Sequence, residues 1–340
     1  MVLLLLGMVR DVLADHPKID KVTVKNGDTV TCEIKQLSRG KLTAKTSDMG
    51  TLDVKWTEII ALKSRFYYRV ETSNGDRFYG SLERKIGSDM LVISGETTVA
   101  IEAMDAVEIA PIEESFWDRN DGSLSFGFSY TKGSDVRQLT FDWTNLYRTE
   151  RNLVDLRANA IFTTRGSKSD GSDTNRQFNI STTYYRLLSR KNWTGSLSLS
   201  VERNDELGLK RRIKPGLGTG VNLIRSNRNT LLVSVGLALN SELGADTSAV
   251  SYSAEAVFSA SYSFFRYNTP KTDISTGLSV YPSLTENERV RLEYDLKYSH
   301  ELIADFTANL SFFVKYDNQP PTAGAGTTDW GIVMSLGWSY

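Results

Sequence analysis

Val290-Arg291-Leu292-Glu293-Tyr294-Asp295-Leu296-Lys297-Tyr298 alternates without a break, with Val290, Leu292, Tyr294, Leu296 and Tyr298 on one side and Arg291, Glu293, Asp295 and Lys297 on the other. Successive side chains of a strand point to opposite faces, so a period of two with unlike sets describes a strand whose faces meet different surroundings. In a water-soluble sandwich the charged face looks to bulk solvent. In a barrel that crosses an outer membrane it lines the lumen, and the apolar face meets lipid.

The same pattern extends in both directions from this stretch. Twelve alternating runs can be marked, at about 122–132, 136–148, 152–165, 175–189, 192–203, 211–224, 229–240, 249–265, 272–282, 289–300, 303–317 and 328–340. Tight connections follow the even-numbered runs (148–151, 189–192, 225–229), and longer ones follow odd-numbered runs (166–174, 204–210, 318–327). An even strand number with short turns at one rim and longer loops at the other is the pattern of outer-membrane barrels, with both termini on the periplasmic side.

Aromatic residues sort by strand end. Tyr147, Tyr184, Trp193, Tyr262, Tyr298, Phe306, Trp338 and Tyr340 fall at the short-turn ends of the apolar face, and Tyr130, Phe162, Phe178, Tyr252, Tyr316 and Trp330 at the long-loop ends. Between them lie aliphatics such as Leu197, Leu199, Val233, Val235 and Leu237. Two bands of rings around an aliphatic belt suit two membrane interfaces. The final run, Trp330, Ile332, Met334, Leu336, Trp338 and Tyr340, resembles the C-terminal assembly signal of outer-membrane proteins, which implies recognition of Leu336, Trp338 and Tyr340 by barrel-assembly machinery.

The N-terminal part reads differently. Asn26-Gly27-Asp28 recurs as Asn74-Gly75-Asp76, each joining two alternating runs by a dipeptide suited to a two-residue hairpin. Val22, Val24, Val30, Cys32 and Ile34 flank the first turn; Tyr68, Val70, Phe78 and Leu82 flank the second. Further apolar positions follow in both copies, among them Leu52, Val54 and Trp56 in one and Val99 and Ile101 in the other. The spacing predicts a duplicated small β-domain over residues 19–112, with repeats at about 19–64 and 65–112. Residues 113–121 read as a linker and 122–340 as the barrel. Residues 1–18 read as a truncated or cleaved leader, with a short apolar run at 2–9.

Composition removes several functions. Lys and Arg number 40 against 41 Asp and Glu, so no basic field favours nucleic acid. Cys32 is the one cysteine, which excludes an internal disulfide and favours a small core residue. No run reaches the roughly 18 apolar residues that a membrane helix needs. His16 and His300 are the only histidines, and neither stands in a metal-ligand or nucleophile spacing; no cofactor is expected and no enzyme.

The Asn-Gly-Asp modules, the Val54-Lys55-Trp56 stretch leading to Ile59-Ile60, and the ending Gly337-Trp338-Ser339-Tyr340 together resemble the salt-stress-induced outer-membrane protein family, over about residues 19–340. The resemblance implies location in the outer membrane of a Gram-negative bacterium, with membrane lipids as partners. It implies no substrate. The even strand count and the short turns predict the N-terminal domain in the periplasm. From the residues themselves, the polar face supplies candidate lumen-lining groups: Asp142, Asp155, Arg157, Gln177, Asn179, Glu202, Asn222, Glu255, Arg291, Glu293, Asp295, Lys297 and Asn309. Two expectations follow: a narrow passive pore for ions or small solutes, or a non-conducting structural or partner-binding protein in which those charges pair across a closed interior.

Overall fold

A computed structural model describes residues 17–112, 119–133, 135–167, 171–189, 191–205, 209–244, 250–303, 306–319 and 327–338. The leader, most of the linker, and Ser339 and Tyr340 lie outside the described residues.

The N-terminal part folds as one nine-stranded sheet. Strands β1 (Asp20–Val24), β2 (Thr29–Ser38), β3 (Lys41–Lys45) and β4 (Thr51–Lys55) form the first copy, and β6 (Arg77–Arg84), β7 (Met90–Ser94), β8 (Thr98–Glu102) and β9 (Ala106–Pro111) belong to the second. Between them β5 (Ile59–Thr72) serves both copies. Its first half pairs with β1, its second half with β9, and β6 runs along it across a register shift between Ser64 and Tyr68. The two repeats therefore share a strand and one core, in which Val22, Ile34, Leu42, Trp56, Val70, Leu82 and Ile109 are buried together. The copies also touch through polar groups. The Tyr68 hydroxyl donates to Asp20 Oδ2 at 3.1 Å, 48 residues away, and Trp56 Nε1 donates to the Ala103 carbonyl at 2.7 Å. Both bonds satisfy groups that burial would otherwise leave without water.

The rest of the chain forms a twelve-stranded antiparallel sheet in strict chain order. Its strands are β10 (Asn120–Thr131), β11 (Val136–Arg148), β12 (Asn152–Ser167), β13 (Gly171–Leu187), β14 (Trp193–Asn204), β15 (Leu209–Arg225), β16 (Asn229–Gly244), β17 (Val250–Arg266), β18 (Thr272–Pro282), β19 (Val290–Ile303), β20 (Phe306–Asp317) and β21 (Thr328–Trp338). Each matches one of the twelve alternating runs, though β12 and β13 extend further than expected and pair as far as Ser167 with Gly171.

The register separates the two faces. Trp193, Val221, Val233, Ala260, Leu278, Tyr294, Val314 and Trp330 are successive cross-strand partners from β14 to β21. This apolar row starts at the short-turn rim and finishes near the opposite rim, so the strands are strongly tilted, as curved sheets require. On the other face, Asp142, Asn159, Asn179, Glu202, Arg212 and Glu242 are successive partners from β11 to β16. Among the described residues no ladder joins β10 to β21, and β10 is exposed along nearly its whole length on both faces.

Candidate functional site: the polar face and its covered rim

The nine-stranded sheet sits against the short-turn rim of the twelve-stranded one. Four turns take part. At 149–151, Arg69 Nη1 donates to the Glu150 carbonyl at 3.2 Å. At 188–192, Arg77 Nη1 donates to the Leu188 carbonyl at 2.8 Å and Lys191 pairs with Asp76 at 2.5 Å. At 226–228, Asn227 Nδ2 donates to the Met104 and Ala106 carbonyls at 3.0 and 2.8 Å. At 267–271, Lys55 Nζ donates to Asn268 Oδ1 at 3.2 Å, and Arg39 pairs with Asp273 at 2.7 Å while lying over the Phe265 ring.

Two glycines set how closely these turns approach. Gly75 of the second Asn-Gly-Asp turn (φ +83°) and Gly40 (φ +70°) both lie in the left-handed region that glycine tolerates best. A Cβ on Gly75 would stand 2.6 Å from Asn192 Oδ1, and one on Gly40 2.5 Å from the Asn227 carbonyl oxygen. The hairpin glycine thus serves contact as well as turn geometry.

The centre of the contact is ionic and poorly solvated. Arg225, at the end of β15, reaches between two carboxylates of the N-terminal sheet, with Nη1 at 2.6 Å from Glu71 Oε1 and Nη2 bonded to Glu108 Oε2. Glu71 also receives Arg77 Nε at 3.2 Å, and Arg69 Nη2 bonds Glu108 Oε1. Glu71 and Arg69 are buried. Burial alone would raise the Glu108 pKa, but the guanidiniums of Arg69, Arg225 and Arg148 overcome it and hold the carboxyl below its ordinary value.

Above this cluster lies a cavity of about 580 Å³. Arg69, Glu71 and Glu108 contribute its N-terminal-domain side, and the wall is the polar face of β12 to β18. A good part of that wall is small: Thr183, Ser198, Gly216 and Ala238 are successive partners between Asp155 and Glu255.

The predicted lumen-lining residues share this face, and several are already paired. Asn159 Nδ2 donates to Asp142 Oδ1 at 2.5 Å, Arg157 Nη2 to Asp155 Oδ2 at 2.7 Å, and Arg291 Nη2 to Glu255 Oε2 at 2.7 Å. Arg212 bridges Glu202 at 3.0 Å and Glu242 at 2.8 Å. Glu293 accepts a weak bond from the Tyr281 hydroxyl at 3.4 Å; Lys315 stands opposite Glu293 in the ladder. Asp295 and Lys297 form no ion pair among the described residues. The cavity takes in Glu255 and Asn222 from the predicted set and leaves the other predicted residues outside its lining. The sequence reading missed Arg69, Glu71, Glu108 and Arg225, along with the bridging Arg212 and Glu242.

Other candidates are structural. Burial, with Asp20 and Glu33 nearby, pushes the Cys32 thiol up to about 12, which makes it unreactive. His300 Nδ1 lies 3.0 Å from the Thr272 hydroxyl and its ring stacks on Tyr298; His16 lies outside the described residues. Among the described residues no group of three or more His, Cys, Asp or Glu side chains could hold a metal ion, and no helix is long and apolar enough to cross a membrane. Leu336 and Trp338 project from the apolar side of β21 and are exposed.

A family model described as "Protein of unknown function, DUF481" matches residues 124–340, nearly the whole twelve-stranded sheet. The chain belongs to that family. Its description carries neither an activity nor a link to salt stress, and it leaves the nine-stranded sheet unmatched. Comparison with curated proteins gave no match, and comparison with solved structures gave none.

Proposed function

We propose that this DUF481 protein is an outer-membrane β-barrel whose N-terminal domain lies in the periplasm and covers the periplasmic mouth, so that passage of ions or small solutes is gated rather than constitutive. One observation carries the membrane reading. The face opposite the charges is a continuous apolar surface on which Phe126 and Phe128 are 69 and 71% exposed and Leu197 and Leu217 each 57%. A soluble protein rarely exposes so large an apolar patch, whereas hydrocarbon solvates it. Insertion in the membrane requires closure: although no ladder joins β10 to β21 among the described residues, open strand edges in lipid would leave backbone N–H and C=O groups without partners, so the two edges are to pair there. An even strand count makes that last pairing antiparallel like the others.

The covered rim favours gating over a permanently open pore. Arg69, Glu71 and Glu108 lie across the lumen side of the short-turn rim rather than beside it, since they line the same cavity as the inner wall. The role is non-catalytic. Outer-membrane fractionation, heat-modifiable gel migration, and planar-bilayer conductance of the refolded full chain and of the chain lacking residues 1–118 test the reading together. The expected result is heat-modifiable barrels in both, rare openings in the full chain and frequent ones in the truncated chain. Recovery in the soluble fraction would overturn the membrane assignment, and equal conductance would overturn the gating.

A further inference from the structure

We infer that the cavity between the N-terminal domain and the inner wall is a binding site for a small polyhydroxylated acid, of the class of a sugar carboxylate; this rests on the gated-barrel reading and names what occupies the lumen behind the gate.

The size fits a ligand, since about 580 Å³ falls in the range of small-molecule sites. The chemistry of the lining narrows the class. Six of its charged residues are in ion pairs, namely Arg69, Arg77 and Arg225 with Glu71 and Glu108, and Glu255 with Arg291. Lys214, half-buried on β15, is the one charged residue of the lining without an ion pair among the described residues. With Arg291 counted beside Glu255, five positive charges stand against three negative ones, which favours a negatively charged occupant.

The polar part of the lining carries the hydroxyls of Thr183, Thr194, Ser196, Ser198 and Ser234 and the amide of Asn222. A hydroxyl both donates and accepts, so these groups can pair with several hydroxyls on one molecule, whereas a simple carboxylate only accepts. The lining also takes in Lys214, Gly216, Gly218 and Gly236, with Tyr185 and Tyr281. Short hydroxyl side chains and bare backbone let a hydroxylated ring approach closely.

Isothermal titration of the full chain in detergent micelles with glucuronate, glucose and acetate tests the assignment. Glucuronate is expected to bind about tenfold more tightly than glucose, the gain of one hydrogen bond to a charged group, and acetate not detectably. Lys214→Gln should bring glucuronate down to the level of glucose. Ser196→Phe, which sets a ring on the small-residue wall, should remove binding of both. Absent glucuronate binding, equal affinity for glucuronate and glucose in the parent, or undiminished binding by Ser196→Phe would each overturn the inference. Heat-modifiable migration is scored on every sample. A folded barrel that fails to bind counts against this site alone, while a parent chain that never forms one overturns the membrane reading and the site with it.

Discussion

Replacing Arg225 with Met should release the N-terminal domain from the rim, and the size of the effect follows from what the guanidinium holds. Arg225 is the sole residue of the twelve-stranded sheet that pairs with both Glu71 and Glu108 among the described residues. Removing one partner of a buried ion pair commonly costs about 3–5 kcal/mol, because the remaining charge is left poorly solvated. Here each carboxylate keeps a second guanidinium, Arg77 on Glu71 and Arg69 on Glu108, so the lower end applies. About 3 kcal/mol corresponds to roughly a hundredfold shift toward the undocked form. The exposed pair Lys191–Asp76 provides the contrast. Its side chains are 59 and 33% exposed, and such pairs contribute about 0–1 kcal/mol, so Lys191→Gln should shift docking by less than about fivefold. Hydrogen exchange of peptides spanning 67–72 and 225–229 reads docking directly, and opening frequency in a planar bilayer reads its consequence. Equal exchange and equal opening frequency in Arg225→Met, Lys191→Gln and the parent would refute the claim that this cluster holds the domain.

Docking should resist mild acid. The Glu108 carboxyl is held below its ordinary value, so its contribution is present above the unfolded pKa near about 4.3 and is lost only as pH falls through the lower folded value; interface exchange should be unchanged at about pH 5. Gly75→Ala should weaken docking without unfolding either sheet, because the added methyl meets Asn192 and the backbone lies at φ +83°; rapid exchange at 188–193 with normal heat-modifiability is the expected readout. Trp56→Phe should destabilise the nine-stranded sheet by about 2 kcal/mol through the orphaned Ala103 carbonyl and the space left by the indole, measured by urea melting of the domain signal. Cysteine pairs between the inward positions Ser123, Ser125 or Ser129 of β10 and Ser335 of β21 should cross-link in one register in inserted protein; failure of every pair would mean the sheet does not close. Deleting Tyr340, which lies outside the described residues, should lower the yield of heat-modifiable barrel, and normal yields would remove the assembly-signal reading.

The strands of the large sheet were legible because each carries its own two-faced pattern. Val290 to Tyr298 needs no partner to announce which side is apolar, and the ladder that aligns Trp193 with Trp330 across eight strands only assembles faces that each run had already declared. Fusion of the two repeats was harder to read, since period and turn signals mark local units. The clue was negative. Ile59 to Thr72 contains no Gly, Pro or Asn, so nothing in it could turn, and a strand of that length had to outrun its first partner and serve a second.

The rim site was not legible for a more general reason. Arg225, Asn227, Lys191 and Asp273 sit in or beside short turns, where polar residues are the default whether or not anything packs on them. What separates a docked turn from a solvated one is burial of the opposing group, and burial of Glu71 arises only when the second hairpin of the N-terminal sheet meets the end of β15. The inward charges posed the same difficulty. Glu202, Arg212 and Glu242 lie on three strands separated by loops, and their pairing depends on register, which alternation leaves free by any even shift. The pairs of Arg212 with Glu202 and Glu242 and of Arg291 with Glu255 fix that register, and each spares the polar face an unmatched charge. On β14 to β17 these pairs lie toward the long-loop ends, while nearer the short-turn rim the same strands carry serine and glycine, so the polar face is divided into a cross-linked part and an open part. The open part is the one the N-terminal domain covers. Leaving that region unfilled beneath a buried ionic cluster adds nothing to stability, which is why the cluster and the cavity are best tested together.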